Sequence, residues 1–564
     1  MIRLYLPVYA TRVAYTGISL GRMGYLLIPL QLPTFALFKN SNHTRTLTMS
    51  TTRRIKTALI SVFDKDGLAP ILTEMKRLGI QIITTGGTQR YIEAQGMEVT
   101  TVESLTDYPS ILDGRVKTLH PKVHGGILAR RNEAHRAELA KYDLPEIDLV
   151  VVDLYPFEQT VAQTDDHEAI IEKIDIGGIA LIRAAAKNFG DVTIVPSKED
   201  YDTLLHILTE QNGETSLQDR QRLARRAFGV SSHYDTAIFG YFDRTTEQPE
   251  EAPDSRDFKR SVSGSRALRY GENPHQAGRY YGDLEEVFEV LGGKPLSYNN
   301  LVDVDAAVRL MYEFRDDRPT FAILKHTNAC GVATRPTLAH AYRDALAGDP
   351  ISAFGGILIA NTTLDYETAE QIHGLFYEVL IAPAFDDDAL ELLSKKKKRV
   401  LLRLKEYPAR PTTFKSLLNG VIEQDSDLKI ESVDDLETVT KREPTRDEIE
   451  DLLFANKLAK HLKSNTIVLA RNSQLLGMGC GQTSRVDALK QAIVKAQHFD
   501  FHLDGAVMAS DAFFPFPDCV QIADEAGIRA VIQPGGSIKD QDSIDYCDAN
   551  DMAMVTTGVR HFLH

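Results

Sequence analysis

The pair Lys325–His326 follows the apolar segment FAIL, which is typical of a buried strand, so both side chains are expected at a strand end. Histidine, whose ordinary pKa is about 6.5, is suited to accept a proton near neutral pH. A neighbouring ammonium group favours the neutral imidazole and can stabilise an oxyanion. The pair could therefore serve general-base chemistry, with His326 as the base and Lys325 as the stabilising cation. A lone histidine at a strand end is more often structural, so the surrounding sequence must decide.

Polar and glycine residues follow several strand-like segments in the first half of the chain. TALISVF, IQIITT and IDLVVVDLYPF are typical of buried strands, and GLAPILTEMKRLG predicts an amphipathic helix that ends at Gly79. Alternating strands and helices predict a mainly parallel α/β sheet, whose ligands bind beyond the carboxyl ends of the strands. Glycine turns and helix N-termini there favour anions. The candidates at these ends are Asp64, Lys65, Thr85 to Thr88 and Tyr155.

His120 and His124 are four residues apart, which is the spacing of a zinc-binding pair on a helix. Pro121 between them and the glycine pair after them are expected to weaken a helix, and no third ligand is evident. The four cysteines include no C-x-x-C pair, which fits a reducing cytosol. The sequence therefore predicts no metal site.

The bulk composition limits the classes of function. A chain of 564 residues is too long for one hydrophobic core, so several domains are expected. A formal net charge of -15 argues against a nucleic-acid partner, although local lysines and arginines can still hold a phosphate. No apolar stretch is long and unbroken enough to predict a membrane span.

Residues 1–55 are interpreted as a leader, because the first acidic residue of the chain is Asp64 and several arginines precede it. Two alternatives stay open: an organellar transit peptide, or a start site placed too early, with Met49 as the true start. The second is favoured, so a cytoplasmic location is expected, with an organelle as the alternative.

The remaining chain is predicted to form a domain over 56–244, a linker over 245–265 and a mixed α/β region of two subdomains over 266–564. The linker is polar and charged and lacks apolar periodicity. No internal repeat is recognisable in the sequence.

Two ordered sets of strings carry a resemblance to a known family. The first half contains SVFDK at Ser61, TTGGT at Thr84, GRVKTLHPKVHGGILARR at Gly114, DLYPF at Asp153 and IDIGGIALIRAAAKN at Ile174. The second half contains LRYGENPHQ at Leu268, KHTNACGVA at Lys325, DPISAFGG at Asp349, SNTIVLA at Ser464, GCGQTSR at Gly479, SDAFFPFPD at Ser510 and the terminal RHFLH. In order and content they resemble the bifunctional formyltransferase and cyclohydrolase enzymes of purine biosynthesis.

The resemblance implies two activities and two folds. A methylglyoxal-synthase-like N-terminal domain would cyclise formylated aminoimidazole carboxamide ribotide (FAICAR) to inosine monophosphate (IMP). A cytidine-deaminase-like C-terminal region would transfer a formyl group from 10-formyltetrahydrofolate to aminoimidazole carboxamide ribotide (AICAR). The sequence lacks the P-C-x-x-C part of the zinc deaminase signature, so the deaminase zinc chemistry is not expected.

The strings assign candidate residues to the cyclohydrolase site. Phosphate and ribose binding is assigned to Ser61, Lys65, Gly86, Gly87 and Thr88. By resemblance, the reacting groups are Lys117, Tyr155, Asp175 and Lys187, supported by Arg115 and Asn188.

The strings likewise assign the formyltransferase site. His326 would be the base, Lys325 would stabilise the oxyanion or the leaving folate nitrogen, and Asn465 would orient the amide or the folate. The ribotide would be bound by Arg269, Tyr270, Arg560, Gly355, Glu378 and Phe513.

The resemblance further implies a homodimer whose formyltransferase sites are completed across the interface, and no tightly bound cofactor. It leaves a monovalent cation open. Two alternatives remain at this point: an N-terminal domain that only senses a phosphorylated metabolite, and a basic leader that binds a membrane or nucleic acid.

Overall fold

The computed structural model describes residues 52–112, 115–246 and 257–564. Residues 1–51 of the predicted leader, with Met49, lie outside this range, as do Gly114 and residues 247–256 of the predicted linker. Among the described residues, no helix is long and apolar enough to cross a membrane.

The N-terminal part is built on a five-stranded, all-parallel sheet in the order β4-β3-β2-β5-β6. Its strands are β2 (Thr57–Ser61), β3 (Gln81–Thr84), β4 (Thr100–Thr101), β5 (Leu149–Val152) and β6 (Thr193–Val195), while β1 (Arg53–Arg54) pairs with β7 (Glu214–Thr215). The helices are α1 (Leu68–Leu78), α2 (Gly86–Ala94), α3 (Val102–Thr106), α4 (Pro121–Leu128), α5 (Glu133–Lys141), α6 (Phe157–Gln163), α7 (His167–Ile171), α8 (Ile176–Lys187), α9 (Tyr201–Glu210) and α10 (Leu217–Thr245).

The sequence predicts this sheet because its central strands are apolar on both faces. All residues of β5, LVVV, are buried, as expected for a parallel strand covered by helices on both sides. The predicted helix α1 is confirmed, and Gly79 ends it in the left-handed conformation at φ 66°. The predicted linker begins where α10 ends, at Thr245, and the domain boundaries stay predictions.

The expectation that Pro121 and the glycine pair weaken a helix is wrong. Helix α4 begins at Pro121, because proline fits the first helical position, and the ring of His120 accepts a hydrogen bond from Lys122 N. A Cβ at Gly126 would lie 2.5 Å from the Pro145 carbonyl oxygen, so the glycine serves close packing. Among the residues that the structure covers, no group of three His, Cys, Asp or Glu side chains could hold a metal ion.

The C-terminal part contains two six-stranded mixed sheets. The strands of the first are β10 (Phe288–Gly292), β11 (Thr320–Lys325), β12 (Asn328–Thr334), β13 (Ile357–Ala360), β14 (Val379–Ala382) and β15 (Val400–Leu404). Those of the second are β18 (Glu437–Thr438), β19 (Ile467–Ala470), β20 (Leu475–Gly479), β21 (Val507–Ser510), β22 (Ala530–Gln533) and β23 (Ala553–Thr556). Two hairpins complete the strands: β8 (Ser265–Ala267) with β9 (Arg279–Tyr281), and β16 (Thr412–Leu417) with β17 (Gly420–Asp425).

The two sheets are copies of one topology. Their orders, β10-β15-β14-β13-β11-β12 and β18-β23-β22-β21-β19-β20, match strand for strand, with the same parallel and antiparallel pairs. The helices correspond as well: α11 (Tyr298–Tyr312), α12 (Leu338–Ala347), α13 (Tyr366–His373) and α14 (Asp387–Ser394) to α15 (Arg446–Lys460), α16 (Arg485–His498), α17 (Asp518–Glu525) and α18 (Asp540–Ala549). The chain thus contains an internal repeat that its sequence does not reveal, because equivalent positions hold different side chains.

The repeats share one core. A single cluster of buried side chains joins α11 and α15 to the facing sides of both sheets, for example Val308, Leu458, Ile359 and Val507. Separate clusters cover the outer sides, with α12 to α14 on the first sheet and α16 to α18 on the second. The layers therefore run helix, sheet, helix, sheet, helix, and the predicted α/β class with two C-terminal subdomains is confirmed.

Candidate active sites

The first candidate site lies at the carboxyl ends of β2, β3 and β5. Ser61 ends β2, and the Thr88 hydroxyl donates to Val62 O (2.9 Å) and accepts from Val62 N (3.1 Å). Gly86 and Gly87 form the first turn of α2, whose N–H groups have no intrahelical partners. A Cβ at Gly86 would lie 3.7 Å from Lys117 Nζ, and one at Gly87 would lie 3.9 Å from Lys65 Nζ. Two ammonium groups thus flank a helix N-terminus, which is a favourable arrangement for a phosphate.

Asp175 and Tyr155 lie next to this anion-binding arrangement. Asp175 caps α8 by accepting a hydrogen bond from Gly178 N (2.6 Å), and its own N–H donates to Tyr234 Oη (2.9 Å). Burial, more than the nearby Asp153, raises the pKa of Asp175. Burial also raises the pKa of Tyr155, with further contributions from Asp175 and Asp153, so its phenol is protonated at neutral pH.

The structure does not bring every predicted residue to this cluster. Lys187 ends α8, whose 12 residues separate it from Asp175 by about 18 Å at 1.5 Å per residue. The Asn188 amide donates to Ile127 O and Ala129 O, so it serves the end of α4. Arg115 is exposed and pairs with Glu172.

The second candidate site is centred on the turn between β11 and β12. Lys325 ends β11, and its Nζ donates to Phe354 O (2.8 Å). His326 and Thr327 form the turn itself, both in the left-handed conformation at φ 53° and 65°. The His326 side chain is exposed, so it can meet a substrate.

A chain of hydrogen bonds joins this turn to Asn465. Cys480 Sγ lies 3.5 Å from Asn328 Oδ1, and Gln482 Nε2 donates to Cys480 O (3.1 Å). Gln482 O in turn accepts from Asn465 N (3.1 Å) and Nδ2 (3.0 Å). Asn465 therefore belongs to the same region as Lys325 and His326, although it lies in the other repeat.

The C-terminal tail is fixed beside Asn465. Ser464 N donates to Leu563 O (2.9 Å), and Leu563 N donates to Ser464 Oγ (3.1 Å). The Arg560 guanidinium lies 4.3 Å from the ring centroid of Phe562, and Arg485 lies 5.7 Å from it on the same ring. Arg560 is thus held near the region that contains Asn465.

The other residues predicted to contact the ribotide make local contacts that do not lead directly to Lys325 or His326. Gly355 has φ 77° and donates its N–H to Phe376 O (2.7 Å), while Glu378 forms an ion pair with Lys294 (2.5 Å). Phe513 is partly exposed beyond β21. Arg269 and Tyr270 lie in the loop between β8 and β9, and no hydrogen bond or ion pair among the described residues joins them to Lys325 or His326.

Several residues of these clusters were not predicted from the sequence. Lys173 Nζ lies 5.8 Å from the Tyr155 ring centroid, and Asp153 accepts from Asp64 N (2.8 Å). Gln482 and Cys480 lie in the string GCGQTSR, which was the signal that could have identified them. Asp303, which accepts from Thr327 N (2.9 Å), lies in α11 outside every string and had no such signal.

Comparison with known proteins identifies the chain's relatives. A model of the AICARFT/IMPCHase bienzyme matches residues 185–495, and a model of the MGS-like domain matches residues 67–180. The bifunctional purine biosynthesis protein PurH of Bacteroides thetaiotaomicron is 58% identical over 517 residues, which make up 92% of this chain and 100% of that protein. PurH of Pelodictyon phaeoclathratiforme is 48% identical, over 90% of this chain and 99% of that protein. The solved chain titled "Crystal structure of ForH" is 38% identical, covers 33% of this chain and 98% of its own, and has a TM-score of 0.30.

The chain belongs to the AICARFT/IMPCHase bienzyme family. This membership confirms the predicted family, the MGS-like N-terminal fold and the bifunctional enzyme class. It also confirms the predicted function in the last two steps of IMP synthesis, AICAR formyl transfer and cyclisation, with a folate-derived formyl donor. In this bienzyme, the first cluster lies in the part of the chain that contains the MGS-like match, and the Lys325 turn lies within the bienzyme match.

Proposed function

We propose that the two activities of this bienzyme occupy two separate sites. Cyclisation takes place at the carboxyl edge of the N-terminal sheet, and formyl transfer takes place at the turn that carries His326. The observation that carries this proposal is the location of the two clusters on different sheets. Lys65, Lys117 and Asp175 surround the ends of β2, β3 and β5, whereas Lys325 ends β11.

In the first site the phosphate of FAICAR binds at the N-terminus of α2. The backbone N–H groups of Gly86 and Gly87 donate to it, and the ammonium group of Lys65 neutralises its charge. Ser61 ends β2 and Thr88 lies in α2, next to the same helix N-terminus.

Ring closure then joins the carboxamide nitrogen to the formyl carbon, and water leaves. The reaction is intramolecular, so proximity already removes much of the barrier. Asp175 orients the amide, and Lys117 polarises the formyl oxygen as charge develops on it. The raised pKa of Tyr155 keeps its phenol protonated, so the phenol can give a proton to the departing oxygen.

In the second site the amine of AICAR attacks the formyl carbon of 10-formyltetrahydrofolate. His326 accepts the proton that the amine loses, and the bond between the formyl carbon and the folate nitrogen breaks. Lys325 stabilises the tetrahedral oxyanion or the leaving nitrogen, and Asn465 orients the reactants. Arg560, Gly355, Glu378 and Phe513 are proposed to contact the ribotide.

The enzyme is proposed to be a homodimer, with Arg269 and Tyr270 supplied to the partner's formyltransferase site. An exposed apolar surface supports a second copy as the partner. It lies on the β16–β17 hairpin and comprises Phe414, Leu417, Leu418, Val421 and Ile422. An isolated hairpin is only marginally stable in water, so burial of these side chains against another chain would stabilise it.

Two further proposals concern a bound monovalent cation and the location of the enzyme in the cell. The Oδ2 atom of Asp511 is buried without a hydrogen-bond partner, and such an oxygen would fit a monovalent cation. A cytoplasmic location follows if Met49 is the true start, and an organellar one if residues 1–48 are a transit peptide. Mass spectrometry of the native N-terminus distinguishes these two cases.

The proposal of two sites is tested by His326→Ala. This variant is expected to lose formyl transfer by about 10²–10⁴-fold, the usual contribution of a positioned base. It should still convert supplied FAICAR to IMP at the wild-type rate, because the cyclohydrolase cluster is untouched. Loss of both activities in a folded variant, or retention of formyl transfer, would contradict the assignment.

A further inference from the structure

The turn that carries His326 occurs twice in the molecule. In the second repeat Asn472 and Ser473 stand where His326 and Thr327 stand in the first, and they too are left-handed, at φ 53° and 51°. Arg471, the equivalent of Lys325, donates to Asp504 O (2.6 Å), as Lys325 donates to Phe354 O. Both repeats therefore form the same turn backbone, and only the turn of the first repeat carries a histidine.

Each turn is held by one aspartate from the preceding helix. In the second repeat Asp451 of α15 accepts hydrogen bonds from Asn472 N (2.8 Å) and Ser473 N (2.6 Å). In the first, Asp303 of α11 accepts from Thr327 N (2.9 Å), and the adjacent His326 N–H lowers the pKa of its carboxyl group. The two carboxylates occupy equivalent positions in equivalent helices.

These carboxylates stabilise the left-handed backbone of the two turns. Left-handed backbone is unfavourable for side chains with a Cβ, most of all for a β-branched residue such as Thr327. Hydrogen bonds from successive N–H groups to one carboxylate favour this conformation over the alternatives. Burial raises the pKa of both Asp303 and Asp451, while the backbone donors act in the opposite direction.

We infer that Asp303 is a positioning residue for formyl transfer, which fixes the left-handed turn and so aims the His326 imidazole at the reacting amine. This inference rests on the proposed role of His326. Asp303 acts through the backbone and through His326, so it is not itself a catalytic residue. Displacement of a reacting group by about 1 Å can cost about 100-fold in rate, so release of the turn should lower kcat.

The second repeat provides a matched control. Asp303→Ala and Asp451→Ala remove the equivalent carboxylate from the same kind of turn, but only the first turn carries the histidine. A merely structural role predicts similar behaviour, with lower stability and any loss of activity in proportion to the unfolded fraction. A positioning role predicts different effects on the two variants.

The experiment measures kcat and KM for formyl transfer in the full-length variants, with FAICAR cyclisation and urea unfolding as measures of folding. Asp303→Ala should lower the kcat of formyl transfer by about 100-fold, with KM for AICAR and cyclisation unchanged. Asp451→Ala should lower stability and leave that kcat unchanged. Asp303→Asn, whose amide oxygen can still accept from Thr327 N, should recover part of the lost kcat and keeps the test valid if Asp303→Ala does not fold.

Equal kcat losses in Asp303→Ala and Asp451→Ala would overturn the inference, as would a rise in KM for AICAR at constant kcat. His326→Ala, assayed in parallel, separates this failure from that of the proposed function. If His326→Ala keeps formyl transfer, the proposed function fails. If it loses formyl transfer while Asp303→Ala does not, only the inference about Asp303 fails.

Discussion

At the scale of single residues, the cyclohydrolase cluster depends on groups whose protonation is set by burial. Asp175 and Asp153 both have raised pKa values, because the surrounding protein removes water from them. Carboxyl groups with raised pKa values next to a proposed phosphate-binding site are typical of catalytic positions. Their ionised forms cost folding free energy at neutral pH.

Asp175→Asn tests whether this carboxylate serves cyclisation at the expense of folding stability. The variant should lose cyclisation by about 10²–10⁴-fold while formyl transfer is kept. Because the pKa of Asp175 is raised on folding, its charge opposes folding above that pKa, so removing the charge should not lower stability at pH 7. Asparagine also caps a helix well, so Gly178 N keeps its acceptor. Urea unfolding and FAICAR turnover check the two parts, and a marked loss of stability would contradict the account.

The sequence predicted the residues that lie inside ordered strings, and the structure adds the residues that act through the fold. The sequence strings identify Lys65, Lys117 and Gly86, and the structure shows that these residues lie close together. Asp303 was not, because its role depends on a contact with Thr327 across 24 residues of chain and on no local pattern. The placement of Lys187 at the far end of α8 likewise follows only from the helix that forms between it and Asp175.

At the scale of elements, the C-terminal tail is held by a buried ionic cluster. His561, 3% exposed, contacts Asp427 through Nδ1 (2.6 Å) and Glu431 through Nε2 (3.0 Å). Lys460 and Asn456 of α15 complete the cluster by contacting Asp427 and Glu431. Burial lowers the pKa of His561, but the two carboxylates outweigh it and raise that pKa to about 9. The tail that carries Arg560 is therefore fixed by a charged histidine.

His561→Gln tests the contribution of this charge. Because the pKa of His561 is raised on folding from 6.5 to about 9, its stabilisation is complete below pH 6.5 and is lost as the pH rises through about 9. The wild-type free energy of unfolding should fall over this range by on the order of 3 kcal/mol more than that of His561→Gln. Urea unfolding at several pH values measures the difference. Parallel curves for the two proteins would show that His561 is not charged in the folded state.

The elements were predicted more reliably than their arrangement. Helix α1 and the buried strand β5 follow from apolar periodicity and from Gly79, which are local signals. The internal repeat could not be found in this way, because a shared topology needs only similar apolar patterns. The turn KHTN in one copy corresponds to RNSQ in the other, so no residue of the turn is identical.

At the scale of the whole molecule, two features suggest that the formyltransferase site is incomplete in one chain. Arg269 and Tyr270 are not joined to the Lys325 turn by hydrogen bonds or ion pairs among the described residues, and the β16–β17 hairpin exposes apolar side chains on both faces and at its tip. This hairpin also reaches the tail, because Lys415 donates to the terminal carbonyl of His564. A second copy on the hairpin would thus lie close to the element that holds Arg560.

Leu418→Asp combined with Ile422→Asp tests this interface. Two charges on the apolar surface of the hairpin, one in its turn and one on a strand, should weaken a dimer, because they would have to be buried on association. Light scattering should show a shift from dimer to monomer, with a loss of formyl transfer but not of cyclisation. The control is Ile538→Asp, which lies outside the hairpin and is as exposed as Leu418, and this variant should stay dimeric. A monomeric wild type with full formyl transfer would contradict the proposal.

The central claim is that one chain carries two independent sites, and mixing two inactive variants tests it most directly. His326→Ala and Asp175→Asn are each supplied with AICAR and 10-formyltetrahydrofolate, alone and together, and IMP is measured. Each variant alone should form IMP at least about 100-fold more slowly than the wild type, and Asp175→Asn should accumulate FAICAR. The mixture should form IMP, because FAICAR released by one variant is cyclised by the other. A mixture of the two folded variants that forms IMP no faster than either alone, or wild-type IMP formation by either variant alone, would contradict the account.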